Sequence, residues 1–316
     1  MSSLWRPDIT PDHEPYKVLM ARDVLVDESR NNRPIPIKVY YPVQHPFASL
    51  PVILWSHGLG GSIDGAGFIS RYVASHGYVV VHLQHAGTDS ALWEGQKGHP
   101  WDIIRQTHIP RQATLERFVD VPFVLNALPH WARQHPDLSA YMDINTVAMS
   151  GHSFGAMTTQ VMCGMLFPDE QGILRSYKDP RFLCGQLYSM VPIQHLALDD
   201  PHDIYGAIDR PLFSMTGTND DSPIEGWGYD KRLVVHEYAG HVDKQLLVIK
   251  HGDHMVFNGS RGKLGANPHR ARHEMIIKTL SLCYWDMHLR GDMAARNWLA
   301  GGAAQAWLGD DAKISG

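Results

Sequence analysis

Short, nearly continuous apolar runs recur along the chain at 51–56, 78–83, 146–150, 184–191, 211–216 and 245–250. Runs of this kind, bounded by glycine and polar turns, read as strands buried on both faces. Between them lie longer stretches in helical spacing, at 68–75, 111–128, 153–165 and 270–289. Such an alternation predicts a mostly parallel sheet with helices on both faces. Two β-rich segments at the start, 18–26 and 35–41, flank the polar run Ser29-Arg30-Asn31-Asn32-Arg33 and predict an antiparallel pair. The expected total is about eight strands. Pro122 is expected to kink the helix at 111–128.

Two stretches break the pattern. Residues 85–110 hold Trp93, Trp101, Gly95, Gly98, Pro100 and several histidines without a clear period. Residues 167–183 are irregular as well. Long irregular segments in compact folds usually carry function. Both are therefore expected as lid-like insertions on the substrate rim, with Trp93, Trp101 and Trp227 as candidate wall residues. The glycine-rich tail after Gly301 is expected to be a surface appendage. No repeat or composition shift divides the 316 residues, so 1–316 reads as a single domain.

Composition narrows the classes. A net charge of −5, with no run of Lys or Arg, gives no footprint for nucleic acid. No stretch of about 18 apolar residues predicts a membrane span, and the start of the chain lacks an apolar signal core. A cytoplasmic protein is the expectation. Cys163, Cys184 and Cys283 are too few and too far apart for a disulfide framework or a zinc site, and read as core thiols. No cofactor or metal is called for, and oligomeric state is not legible.

The chemistry concentrates at Gly151-His152-Ser153-Phe154-Gly155, a G-x-S-x-G pattern between a strand and a helix. A serine hydroxyl is a weak nucleophile and must be presented to a base on a tight turn. Glycines on either side let strand and helix pass closely. The helix start aims N–H groups at the site, which makes the N–H of Phe154 a candidate oxyanion donor. His57-Gly58-Leu59-Gly60-Gly61-Ser62 follows the strand at 51–56. No Lys-Ser/Thr follows, as a phosphate loop would need. Its N–H of Leu59 is the second candidate donor.

A base and an acid should follow in the order Ser, Asp, His. Asp220 lies just past the strand at 211–216, where sheets of this kind place chemistry. Its competitors are Asp221 beside it and Asp199, Asp200 and Asp203 after the preceding strand. His254 follows the last strand, with His251 as its competitor. An isolated H-x-x-H pair is a weak metal signal.

The segments Ser56-His57-Gly58-Leu59-Gly60-Gly61, Gly151-His152-Ser153-Phe154-Gly155, Thr216-Gly217-Thr218-Asn219-Asp220-Asp221-Ser222-Pro223 and Gly252-Asp253-His254-Met255-Val256-Phe257 carry a resemblance. Softer echoes are His85-Ala86-Gly87-Thr88-Asp89, Arg117-Phe118-Val119-Asp120-Val121 and Leu289-Arg290-Gly291-Asp292 with Trp298-Leu299. Over roughly 18–299 the chain resembles the dienelactone-hydrolase-like branch of the α/β-hydrolases. Within it, the chain is similar to plasma-type platelet-activating-factor acetylhydrolases and bacterial polyester hydrolases. The resemblance implies the α/β-hydrolase fold and hydrolysis of a small-molecule ester through an acyl-enzyme. Ser153, Asp220 and His254 would form the triad, with Leu59 and Phe154 as oxyanion donors. It also leaves Asp199 and Asp200 open as the acid. True dienelactone hydrolases use a cysteine nucleophile, so serine at 153 points away from dienelactone itself.

Overall fold

A computed structural model describes residues 4–240, 242–259 and 267–316. Its strands are β1 (Val18–Asp27), β2 (Arg33–Pro42), β3 (Leu50–Ser56), β4 (Val79–Leu83), β5 (Met142–His152), β6 (Phe167–Pro168), β7 (Leu174–Arg175), β8 (Phe182–Tyr188), β9 (Leu212–Asn219), β10 (Lys244–Asp253) and β11 (Ala312–Ser315). Nine of them form one sheet in the order β1-β2-β4-β3-β5-β8-β9-β10-β11. The six from β4 to β10 run parallel. The β1–β2 hairpin and β11 close the two edges antiparallel. This is the architecture of an α/β-hydrolase.

Residue alternation builds a core on each face, because side chains along a strand point to opposite sides. On β3, Leu50, Val52 and Leu54 enter one core while Ile53 and Trp55 enter the other. The helices are α1 (Gly67–Ser75), α2 (Pro100–Gln106), α3 (Arg111–Ala132), α4 (Pro136–Ser139), α5 (Phe154–Met162), α6 (Pro201–Tyr205), α7 (Leu233–Tyr238), α8 (Arg270–Leu289), α9 (Met293–Ala300) and α10 (Ala303–Leu308). Helices α3 and α5 cover the first core, while α1, α8, α9 and α10 cover the second. Helix α3 runs as one element through Pro122 and Pro129.

Three expectations need correction. The tail after Gly301 is not an appendage. Ala304 and Leu308 of α10 are buried, and β11 pairs with β10 as the ninth strand of the sheet. The segment 85–110 is partly ordered by a helical turn at Ser90–Leu92 and by α2. Within 167–183, the β6–β7 hairpin packs inward through Phe167, whose ring stands edge-on to Phe118. The three cysteines are all buried and unpaired.

Candidate active site

Ser153 sits between the end of β5 and the start of α5 with φ 54° and ψ −120°. A non-glycine residue at positive φ is strained and must be held by its surroundings. Here the ends of β3 and β5 and the start of α5 hold it. A Cβ on Gly151 would overlap the Gly155 carbonyl, and one on Gly155 would overlap the Ser56 carbonyl. The two glycines are thus required by backbone approach. The amide of Ser153 donates to Tyr188 O at 2.8 Å, which ties the turn to β8.

His254 follows β10. Its turn is pinned by Asp253, whose Oδ1 accepts the amides of Met255 and Val256 at 2.9 and 3.1 Å. Below it, His152 Nε2–H donates to His254 O at 2.8 Å. The Nδ1–H of His254 donates to Asp220 Oδ1 at 2.7 Å. That bond selects the tautomer and leaves Nε2 as the basic nitrogen. Nε2 is buried and has no partner among the described residues, and Ser153 lines the same cavity. Burial lowers the imidazole's pKa more than the Asp220 bond restores it, so His254 stands neutral and able to accept a proton.

Asp220 is fully buried at the end of β9. Its Oδ2 accepts the Thr216 hydroxyl at 2.8 Å. Burial acts to raise its pKa, yet the Arg232 guanidinium and the His254 hydrogen bond outweigh it and hold the carboxyl below its ordinary value. Asp221 is exposed, and so are Asp199, Asp200 and Asp203. Asp200 caps α6 instead, accepting the His202 amide at 2.8 Å. The competing His251 is exposed. Geometry therefore brings Asp220 and His254 together and leaves the other candidates apart. Among the described residues no cluster of three His, Cys, Asp or Glu side chains is disposed to hold a metal ion.

Neither the N–H of Leu59 nor that of Phe154 has an acceptor among the described residues. Leu59 lies on a loop held from several sides. Gly60 N–H donates to Thr88 O at 2.9 Å, Gly61 N–H to Gly58 O at 3.0 Å, and Trp93 Nε1–H to Gly60 O at 2.7 Å. Gly60 has φ +69°, and a Cβ there would run into Ile104.

Residues 17–100 match the family model described as platelet-activating factor acetylhydrolase, isoform II. The chain has the α/β-hydrolase fold. The match covers about a quarter of its length, including the Leu59 loop, and ends before Ser153. It supports a hydrolase of the lipase or esterase type. A search of curated proteins finds no match.

A cavity of about 590 Å³ lies above Ser153 and His254. Trp93, Trp101, Ile104, Leu59, Ile224 and Met255 supply apolar walls, and Glu94 and His99 add polar groups to the lining. Trp93 and Trp101, two of the candidate wall residues, line this cavity. Trp227 does not line the cavity. Its ring lies 4.7 Å from the Arg232 guanidinium, drawn there by the cation it covers. No residue of 167–183 reaches the cavity either, because that hairpin turns into the core beside α3. Helix α2 lines the cavity: Ile104 sits on the Leu59 loop, and Arg105 Nε donates to Pro223 O, after Asp220, at 2.8 Å.

Sequence reasoning missed three parts of this site. Arg232 sits in a polar turn with no motif around it. His152 is the variable position of G-x-S-x-G, yet it props the His254 turn. A buried network of Ser56, His57, His85, Arg117 and Asp120 lies under the Leu59 loop. Its members lay in segments that carry the resemblance, but nothing in the sequence joined them into a network.

Proposed function

We propose that the protein is a serine carboxylic-ester hydrolase acting through an acyl-enzyme. The observation that carries this reading is the strained Ser153 sharing a cavity with the unpartnered Nε2 of His254. In this mechanism Ser153 Oγ attacks the ester carbonyl while His254 Nε2 takes its proton. Asp220 holds the Nδ1–H and balances the imidazolium that forms. The N–H groups of Leu59 and Phe154 stabilise the oxyanion; one such donor is worth about 10²–10³ in rate. His254 then protonates the leaving alcohol. Water, activated by the same nitrogen, releases the acid.

The apolar walls favour a small, apolar or aromatic ester. The match over 17–100 favours a second reading, an acetylhydrolase of the platelet-activating-factor type, in which the acyl group is short. A panel of p-nitrophenyl esters of graded acyl length, run beside matched anilides, separates these. Ester turnover without anilide turnover is expected, and a sharp preference for acetyl selects the second reading. Anilide turnover alone would replace the esterase with an amidase.

A further inference from the structure

We propose that Arg232 is a positioning residue of this reaction, holding Asp220 in place and setting how basic His254 is. The inference rests on the triad reading above. Arg232 ends the helical turn Tyr229–Arg232 and is 1% exposed. A guanidinium taken out of water must find partners, or its burial is strongly unfavourable. Its partners are the acid and the strand ends behind it. Nε donates to Asp220 O at 2.9 Å and Nη1 to Met190 O at 2.7 Å. Nη2 lies 3.1 Å from Asp220 Oδ1 and 3.1 Å from His254 Nδ1. One rigid fork therefore contacts the backbone and the carboxylate of the acid as well as the ring of the base. Trp227 closes the outer side.

This placement has two consequences of opposite sense. The positive charge keeps a fully buried Asp220 ionised, so its oxygen is ready for the Nδ1–H of His254. The same charge opposes the protonation of His254, because a second cation beside it is disfavoured. The other groups around the pair leave that role to Arg232. His152, from the end of β5, is buried and held neutral. Asp253, on the His254 turn, is committed to the amides of Met255 and Val256 and to Asn267. Asp221 and Glu225, in the loop after β9, are exposed and act on Arg232. Arg232 is the cation in contact with the His254 ring among the described residues. A base of this kind stays deprotonated, and active, further into acid.

The test is the rate of fluorophosphonate inactivation against pH, for the wild type, Arg232→Met and Arg232→Lys. The wild-type acid limb is expected below about 6.5, the ordinary imidazole value. In Arg232→Met it should move up by about one unit. Arg232→Lys keeps the charge and loses the fork, so its limb should stay near the wild type's while the plateau rate falls about tenfold. An unmoved limb in Arg232→Met overturns the proposal. So does a wild-type limb at or above 6.5, which decides the matter even if Arg232→Met fails to fold. Wild-type protein that reacts at no pH overturns the triad reading itself, and this proposal with it.

Discussion

The molecule contains the same three residue types wired in the same order twice. In the candidate active site, His254 bonds Asp220 at 2.7 Å and faces the cavity that Ser153 lines. Beneath the Leu59 loop, His85 Nδ1 lies 2.9 Å from Asp120 Oδ2, and His85 Nε2 lies 3.0 Å from Ser56 Oγ. As hydrogen bonds alone, the second set is the more complete. It is nevertheless walled off. Ser56, His85 and Asp120 are fully buried, and Arg117 Nη2 donates to Ser56 Oγ at 2.8 Å. Ser56 lies on a regular strand and is fully buried.

The difference teaches that a proton path does not make an active site. An electrophile needs space above the hydroxyl, donors for its oxyanion, and a serine held out of the strand's plane. In the proposed reading the Ser153 set has them, with the strained φ of Ser153 and the cavity beside it. The buried set has another task. Asp120 also receives Arg33 Nε at 2.8 Å and Arg30 Nη1 at 2.8 Å, which ties the β1–β2 hairpin to α3. From the same helix Arg117 reaches His57 O at 2.5 Å and fixes the base of the Leu59 loop. In the proposed reading one set presents a nucleophile, while the other keeps in place the Leu59 loop, whose N–H would stabilise the oxyanion of the tetrahedral intermediate.

Substitution of the two serines should separate the sets most widely. Ser153→Ala is expected to lower kcat by about 10⁶-fold with stability unchanged. Ser56→Ala should keep turnover within about tenfold of the wild type. It should lose about 1–3 kcal/mol of unfolding free energy, since Arg117 and His85 are left facing an unmet buried partner. Ester kinetics and urea unfolding of both variants decide this. A folded but inactive Ser56→Ala protein would erase the distinction.

The two acids come next. Asp220→Asn should lower kcat about 10⁴-fold through the wrong imidazole tautomer, while Asp221→Asn stays close to the wild type. Asp120→Asn should instead appear as a stability loss of about 3 kcal/mol, because three basic groups lose their shared anion. Asp220→Asn with normal turnover, beside an inactive Asp221→Asn, would move the acid to the exposed position.

Acid should act mildly and earlier on the buried set. Burial, with Arg117 nearby, holds His85 down at about 4. Its folded value lies below its unfolded one, so its contribution is complete above about 6.5 and is lost as pH falls toward 4. Buried His76 and half-buried His236, also near 4, act in the same sense. Asp120 is depressed too; burial opposes this, and His85 and Arg33 outweigh it. Its share is present above the ordinary carboxylate value and lost only below it. Thermal melts at pH 7, 5.5 and 4 should show the midpoint falling across that range. A midpoint constant down to pH 4 would contradict the neutral buried histidines.

Much of the fold and the core of the candidate site was legible in the sequence, for a local reason. The strand–turn–helix around Ser153 requires glycine two residues to either side, and that steric demand is written among immediate neighbours. Asp220 and His254 were readable because each follows the carboxyl end of a buried apolar run. Arg232, the Ser56–His85–Asp120 set, the turned-away Trp227 and the strand built by the tail were not legible. Each depends on partners far along the chain: Arg33 reaches Asp120 across 87 positions, Ser56 is gripped by Arg117 across 61, and Lys244–Asp253 is edged by a strand from the last residues. The sequence by itself determined the order of the layers and the turn that presents the nucleophile, since backbone sterics and apolar period act over a few residues. The tertiary structure alone decided which buried charges meet, because burial makes an unpaired charge so unfavourable that its partner is chosen by proximity in space.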